Sequence, residues 1–119
     1  MKREILFRAK NVKTGAWERG FIFNKGDEFY IKDSYNDTVS PFLVEEKTIG
    51  QYIGLKDAKK QHIFEGDIIT SDNVHFHLVE YNQEECSFNV VAYGISSFRI
   101  VGNIYDNPEL LGNVKEKEK

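Results

Sequence analysis

Hydrophobic and polar positions alternate along most of this chain with a period of two, the signature of strands with one buried face. Ile5, Phe7 and Ala9 alternate with Glu4, Leu6 and Arg8, which predicts a first strand. Asn11 to Gly15 supply turn residues. Ala16 to Asn24 then carry Trp17, Phe21, Ile22 and Phe23, a second strand with Gly20 as its bulge. Asn24-Lys25-Gly26-Asp27 is a hairpin turn, because glycine takes positive φ without steric cost. Phe29 and Ile31 against Tyr30 mark a third strand over Glu28 to Lys32. The first third therefore reads as a β-meander.

Asp33 to Ser40 is polar and turn-rich, and Pro41 prevents a continuous central strand there. This segment is expected as an exposed loop leading into the short apolar run Phe42-Leu43-Val44. Further along, Gly66 lies between Glu65 and Asp67, immediately before Ile68-Ile69, as suits a tight positive-φ turn feeding a strand. Val74, Phe76 and Leu78 alternate with His75, His77 and Val79, predicting a strand whose hairpin partner runs from Ser87 to Tyr93. Ile100 to Tyr105 is the last strand. Asn107-Pro108-Glu109-Leu110-Leu111 reads as one helical turn with Asn107 as cap and proline at its first position.

Short strands joined by tight turns, with little helix signal, predict a mostly β domain over residues 1–111. Its expected form is a small antiparallel barrel, SH3-like in the C-terminal half (51–111), with the N-terminal meander (1–50) and one short C-terminal helical turn. Residues 112–119 alternate Lys and Glu and are expected to fray.

Composition agrees with one soluble domain: 119 residues, 40% hydrophobic and 29% charged. The apolar run near the N-terminus is only Ile5-Leu6-Phe7, and no stretch approaches the roughly 20 apolar residues a membrane helix needs. The single Cys86 forms no intramolecular bridge. Together these point to the cytoplasm and to no membrane partner. The net charge of −3 is unevenly spread. Residues 1–25 hold seven basic and two acidic residues, a balance of +5, and the remainder holds nine basic and seventeen acidic, a balance of −8.

Candidate chemistry is sparse. His75 and His77 share one strand face at a spacing that suits two metal ligands, but further ligands would have to come from His62, Glu80 or Cys86. Their expected role is on the polar face, with Val74, Phe76 and Leu78 in the core. Glu65 and Asp67 flank Gly66, where Asp67 is expected to hold the turn rather than to act in acid–base work. Glu84 and Glu85 beside Cys86 disfavour its thiolate. No phosphate-cradling glycine loop is present. Neither catalytic residues nor cofactors are expected. The basic residues Arg3, Arg8, Lys10, Lys13 and Arg19 near Trp17 and Phe21 form the candidate surface for nucleic acid, since cations and aromatics together bind single strands. Trp17 and Phe21 lie an even number of positions apart and are expected to share a core face.

Three segments carry a resemblance. They are Arg3-Glu4-Ile5-Leu6-Phe7-Arg8-Ala9; Gln51-Tyr52-Ile53-Gly54-Leu55-Lys56-Asp57 with Ile63-Phe64-Glu65-Gly66-Asp67-Ile68-Ile69; and Ile100-Val101-Gly102-Asn103-Ile104-Tyr105-Asp106-Asn107-Pro108-Glu109-Leu110-Leu111. In this order they resemble the YopX family of phage and prophage proteins. The resemblance implies a compact β fold with an SH3-like part, acting in a bacterial host, and it carries no reaction. Gly54, Glu65, Gly66, Asp67, Gly102, Asn103 and Pro108 fall in these segments as turn and motif residues. The spacer Asp57 to His62 departs from the family pattern in lacking a glycine. The expected function is a non-enzymatic module that binds a host or phage protein, or assembles with itself through exposed strand edges. The alternative is a nucleic-acid-binding accessory protein using the basic N-terminal face.

Overall fold

The computed structural model describes residues 4–33, 40–92 and 97–112, with the side chains of 91 and 92 excepted. Arg3, most of the 33–40 loop, Tyr93 and the tail beyond 112 lie outside the described residues. The chain divides into two compact units, Met1–Tyr52 and Ile53–Lys119.

In the first unit, β1 (Phe7–Lys10), β2 (Trp17–Lys25), β3 (Glu28–Lys32), β4 (Phe42–Val44) and the start of β5 (Gly50–Lys56) form an antiparallel sheet ordered β4-β3-β2-β1-β5. The meander is as expected, and β3 spans the predicted residues. The turn between β2 and β3 puts Lys25 opposite Glu28, with Gly26 at φ 60°. Ala9, Ile31 and Val44 form the buried cluster, and Ile22, Phe29 and Ile49 pack on it.

The first strand is corrected in detail. Ile5 is exposed, whereas Arg8, expected on the polar face, is buried. Gly20 is not a bulge, since its register with β1 runs unbroken from Phe7↔Gly20 to Lys10↔Trp17. It is glycine because the Lys32 carbonyl passes so close that a Cβ would lie 2.1 Å from the oxygen.

In the second unit, the later part of β5 pairs with β6 (His62–Phe64), and β7 (Asp67–Thr70) lies between β11 (Arg99–Asn103) and β8 (His77–Leu78). β9 (Tyr81–Asn82) and β10 (Ser87–Phe88) make a separate two-stranded hairpin, followed by a 3-10 turn over Asn89–Ala92. The buried cluster is Ile63, Ile69, Val79 and Val90, with Ile53, Leu55, Phe88, Phe98 and Ile100 packed on it.

Two expectations fail here. The described strands do not close into a barrel: the three-stranded sheet is ordered β11-β7-β8, and β8 is only two residues long. The alternation read over 74–79 also breaks. Val74 is 68% exposed and Val79 is buried, because residues 70–75 coil around the Asp72 carboxylate before the strand begins. Among the described pairings, the register of β11 with β7 shifts between Ile100 and Gly102.

A helical turn over 109–112 follows Pro108. Asn107 caps it through its backbone oxygen, which accepts from Leu110 N at 3.1 Å. The Asn107 side chain turns back instead and accepts from Asn103 N at 3.2 Å. It lies over Gly102, where a Cβ would sit 2.5 Å from Asn107 Oδ1. The Asn103 side chain in turn accepts from Tyr105 N and Asp106 N. Gly102, Asn103 and Pro108 are thus parts of one structural turn.

Candidate binding surface

Strand register decides where the basic residues go. Arg8 pairs with Arg19 and Lys10 with Trp17, while Ala9 between them belongs to the buried cluster. Alternation therefore places Arg8, Lys10, Trp17, Arg19 and Phe21 on the side of the sheet away from that cluster. Trp17 and Phe21 share a face as expected, but it is not the core face, which takes Ile22 instead. The Arg8 guanidinium lies 4.5 Å from the centroid of the Trp17 ring, and the Lys10 ammonium 5.5 Å from it. Arg8 is only 8% exposed, so its charge is spent on the indole and not presented outward. Lys13 and Arg19 are exposed.

A second feature arises where the turn after β1 meets β4. Asn11 is buried and organises the turn. Its Oδ1 accepts from Lys13 N at 2.8 Å and Thr14 N at 3.3 Å, and its Nδ2 donates to Glu18 at 3.1 Å. Asn11 bridges Val44, Val12 N donates to Leu43 O, and Glu45 N donates to Lys10 O. The outer edge of β4 is therefore hydrogen-bonded to residues 10–12, which removes it as a site for strand addition.

Beside this junction lies a pocket of about 320 Å³ lined by Asn11, Lys13, Tyr30, Pro41, Phe42 and Leu43. Val12 and Phe42 next to it are 48% and 42% exposed. Tyr30 stacks on Phe23 with ring centroids 5.5 Å apart, and its hydroxyl donates to Glu28. Partial desolvation and then that bond raise the Tyr30 phenol above its ordinary pKa, so the wall stays neutral. Sequence reasoning missed this pocket, because it depends on the pairing of two segments some thirty residues apart.

The second unit holds the remaining candidates. Asp67 is buried, and its Oδ2 accepts from Phe64 N at 2.8 Å across Gly66, which has φ 93°. The turn role of Asp67 is thus the observed one. Glu65 is half-buried in the same turn, and Gly54 takes φ 89° within β5. Asp57, which sequence reasoning passed over, is a second buried carboxylate. It accepts from Lys59 N and Gln61 N, both at 2.9 Å, and from Ile100 N at 3.0 Å.

His75 and His77 do not work as a pair. His75 Nδ1 lies 2.7 Å from Asp72 Oδ2, whereas the His77 ring meets Phe98 edge-on. Among the described residues, no three His, Cys, Asp or Glu side chains are grouped to hold a metal. On the β9–β10 hairpin, Tyr81 is 46% exposed and contacts Phe88 edge-on, with Glu80, Glu84, Glu85 and Cys86 exposed around it. No described helix is long and apolar enough to cross a membrane.

Residues 6–112 match the family model described as YopX protein. A solved structure, protein EF1440 from Enterococcus faecalis, is similar at a TM-score of 0.58 and 20% identity, covering 92% of this chain and 99% of that one. That likeness is one of fold. No curated protein matches significantly.

Proposed function

The chain belongs to the YopX family, and from that premise we propose that it is a non-enzymatic protein-binding module, encoded by a phage or prophage and active in the host cytoplasm. The observation that carries this reading is the pocket where β4 meets the Val12 turn. Phe42, which lines the cavity, and Val12, between the lining residues Asn11 and Lys13, are large apolar side chains left substantially exposed. Exposed apolar groups around a concave site are the mark of a surface that is covered by a partner.

Affinity capture of the tagged protein from bacterial lysate, with nuclease treatment in both arms, tests it. The wild type is expected to retain specific proteins that Phe42→Asp loses while its circular dichroism stays unchanged. Equal capture by both chains overturns the reading.

The nucleic-acid alternative draws less from the geometry. Arg8 is buried against Trp17, and Lys10 shares that ring, so the exposed described cations of the candidate set are Lys13 and Arg19. It predicts binding to single strands that falls steeply with salt and is lost in Lys13→Ala with Arg19→Ala.

A further inference from the structure

Register and alternation give one face of β1, β2 and β3, the face turned away from Ala9, Ile31 and Val44, a narrow composition. Its cations are Arg8 and Lys10 on β1, Arg19 and Lys25 on β2, and Lys32 on β3. Its aromatics are Trp17, Phe21 and Phe23 on β2 and Tyr30 on β3. Glu28 is the one carboxylate that these three strands add to the face, and it accepts from the Tyr30 hydroxyl. Glu18, opposite Ala9, stands on the other face. No aliphatic side chain of the three strands shares this one, so rings and positive charges interleave. Arg19 lies between Trp17 and Phe21 along β2, Lys32 is opposite Phe21, and Lys25 follows Phe23. The Phe23 and Tyr30 rings stack at 17° to one another, and Arg8 packs on Trp17 with its guanidinium 4.5 Å from the ring centroid. Arg19 and Lys25 are exposed, and the four rings are half-buried.

We propose that this face of β1, β2 and β3 binds single-stranded nucleic acid, with bases stacked on the rings of β2 and β3 and phosphates beside Arg19, Lys25 and Lys32. Rings take any base by its flat face, and cations follow the backbone that links the bases. An acidic peptide fits less well. Each of the three strands has a neighbour on both sides, so its main-chain groups belong to the ladder and none is left for a peptide strand to pair with. Such a peptide would meet the cations and leave the rings without flat partners. A duplex would also meet the cations, but its bases stay stacked on one another. The chain's net charge of −3 does not oppose the contact at this face, where the charges of β1, β2 and β3 are five positive against one negative. This inference rests on the nucleic-acid reading and moves its binding groups from the N-terminal cations to β2 and β3. It is independent of the pocket beside Phe42.

Trp17 is the chain's single tryptophan, so its fluorescence reports on this face directly. Titration of the full chain, freed of nucleic acid, with short oligo-deoxythymidine and oligo-uridine at low salt tests the proposal. Both oligomers are expected to quench Trp17 saturably, and a duplex of the same length is expected to bind more weakly. Affinity is expected to fall about a hundredfold for a tenfold rise in salt, as where about three phosphates are neutralised. Phe23→Ala is expected to weaken binding about tenfold or more through the lost stacking. Lys25→Glu removes an exposed charge without touching the rings; it is expected to weaken binding with circular dichroism unchanged, whereas Lys56→Glu, the same charge change on an exposed residue of the second unit, is expected to bind as the wild type does. Absence of quenching by either oligomer at low salt overturns the proposal, as does equal weakening by Lys25→Glu and Lys56→Glu. Binding of polyglutamate as tight as that of the oligomers also overturns it and makes the face a site for acidic peptides. Binding that Lys13→Ala with Arg19→Ala abolishes, but that Phe23→Ala and Lys25→Glu leave intact, overturns this placement and keeps the nucleic-acid reading on the N-terminal cations.

Discussion

At the scale of single residues, the spacer between β5 and β6 shows how one side chain can occupy a conformation that suits another. This chain has no glycine between Asp57 and His62. Lys60 takes the left-handed conformation instead, at φ 67°. For an L-residue that conformation costs about 1–2 kcal/mol, because Cβ crowds the backbone. The turn holds because Asp57 accepts from the amides on both sides of Lys60, at Lys59 and Gln61, while Lys60 N donates to Asp57 O. Lys60→Gly removes the crowding but adds the greater chain entropy of glycine in the unfolded state. The expected net effect is a gain of about 0.5–1 kcal/mol, read as a higher urea midpoint at unchanged slope. A loss of stability would show that the lysine side chain contributes more than its backbone strain costs.

At the scale of elements, two carboxylates organise segments that carry little regular hydrogen bonding of their own. Asp57 ties its turn to β11 through Ile100 N, and it is buried. Asp57→Ala leaves three amide donors without their acceptor, but Lys59 and Gln61 are exposed enough for water to replace it, so the expected loss is about 1–3 kcal/mol, set mainly by the Ile100 amide. Asp57→Asn, which keeps one acceptor oxygen, is expected to fall in between, and equal losses would point to charge as the main contribution. Asp72 does the same for the exposed loop at 70–75. The His75 backbone amide, then its side chain, then the Val74 amide hold the Asp72 carboxyl well below the usual carboxylate range. The sign follows from that direction. A depressed folded pKa contributes stability that is present above the unfolded value of about 3.9 and is lost as pH falls through the folded one. Carbon-detected NMR should therefore show Asp72 still ionised where free carboxylates have protonated, and Asp72→Asn should remove the acid dependence of the Val74 and His75 amides. The same elements show what was legible in the sequence. Gly26 and Gly66 announced their turns, because positive φ has a local residue signature. Alternation gave β3 in full, because its register needs only its neighbours. The 74–79 run was misread because Asp72 bonds two amides that a strand would have used, a competition that residue periodicity does not register. Burial of Arg8 and the pocket beside Phe42 were hidden for a different reason, since both depend on pairings distant in sequence.

At the scale of the whole molecule, the two buried clusters have no residue in common. Ala9, Ile31 and Val44 belong to the first unit, and Ile63, Ile69, Val79 and Val90 to the second. Periodicity predicted strands in both stretches but had no means of assigning their inward faces to separate cores, because each strand looks the same whichever cluster it feeds. Small clusters make each member count. Ile31 and Ile69 are both fully buried, and truncating either to alanine is expected to cost about 2–4 kcal/mol through lost contacts and the cavity left behind. Native-state hydrogen exchange locates that loss, since amides open in cooperative groups that follow the packing beneath them. Ile31→Ala is expected to lower protection first among the amides of β1 to β4, and Ile69→Ala first among those of β7, β8 and β11. Equal loss of protection across both sets in either variant would show that the two clusters open as one cooperative core.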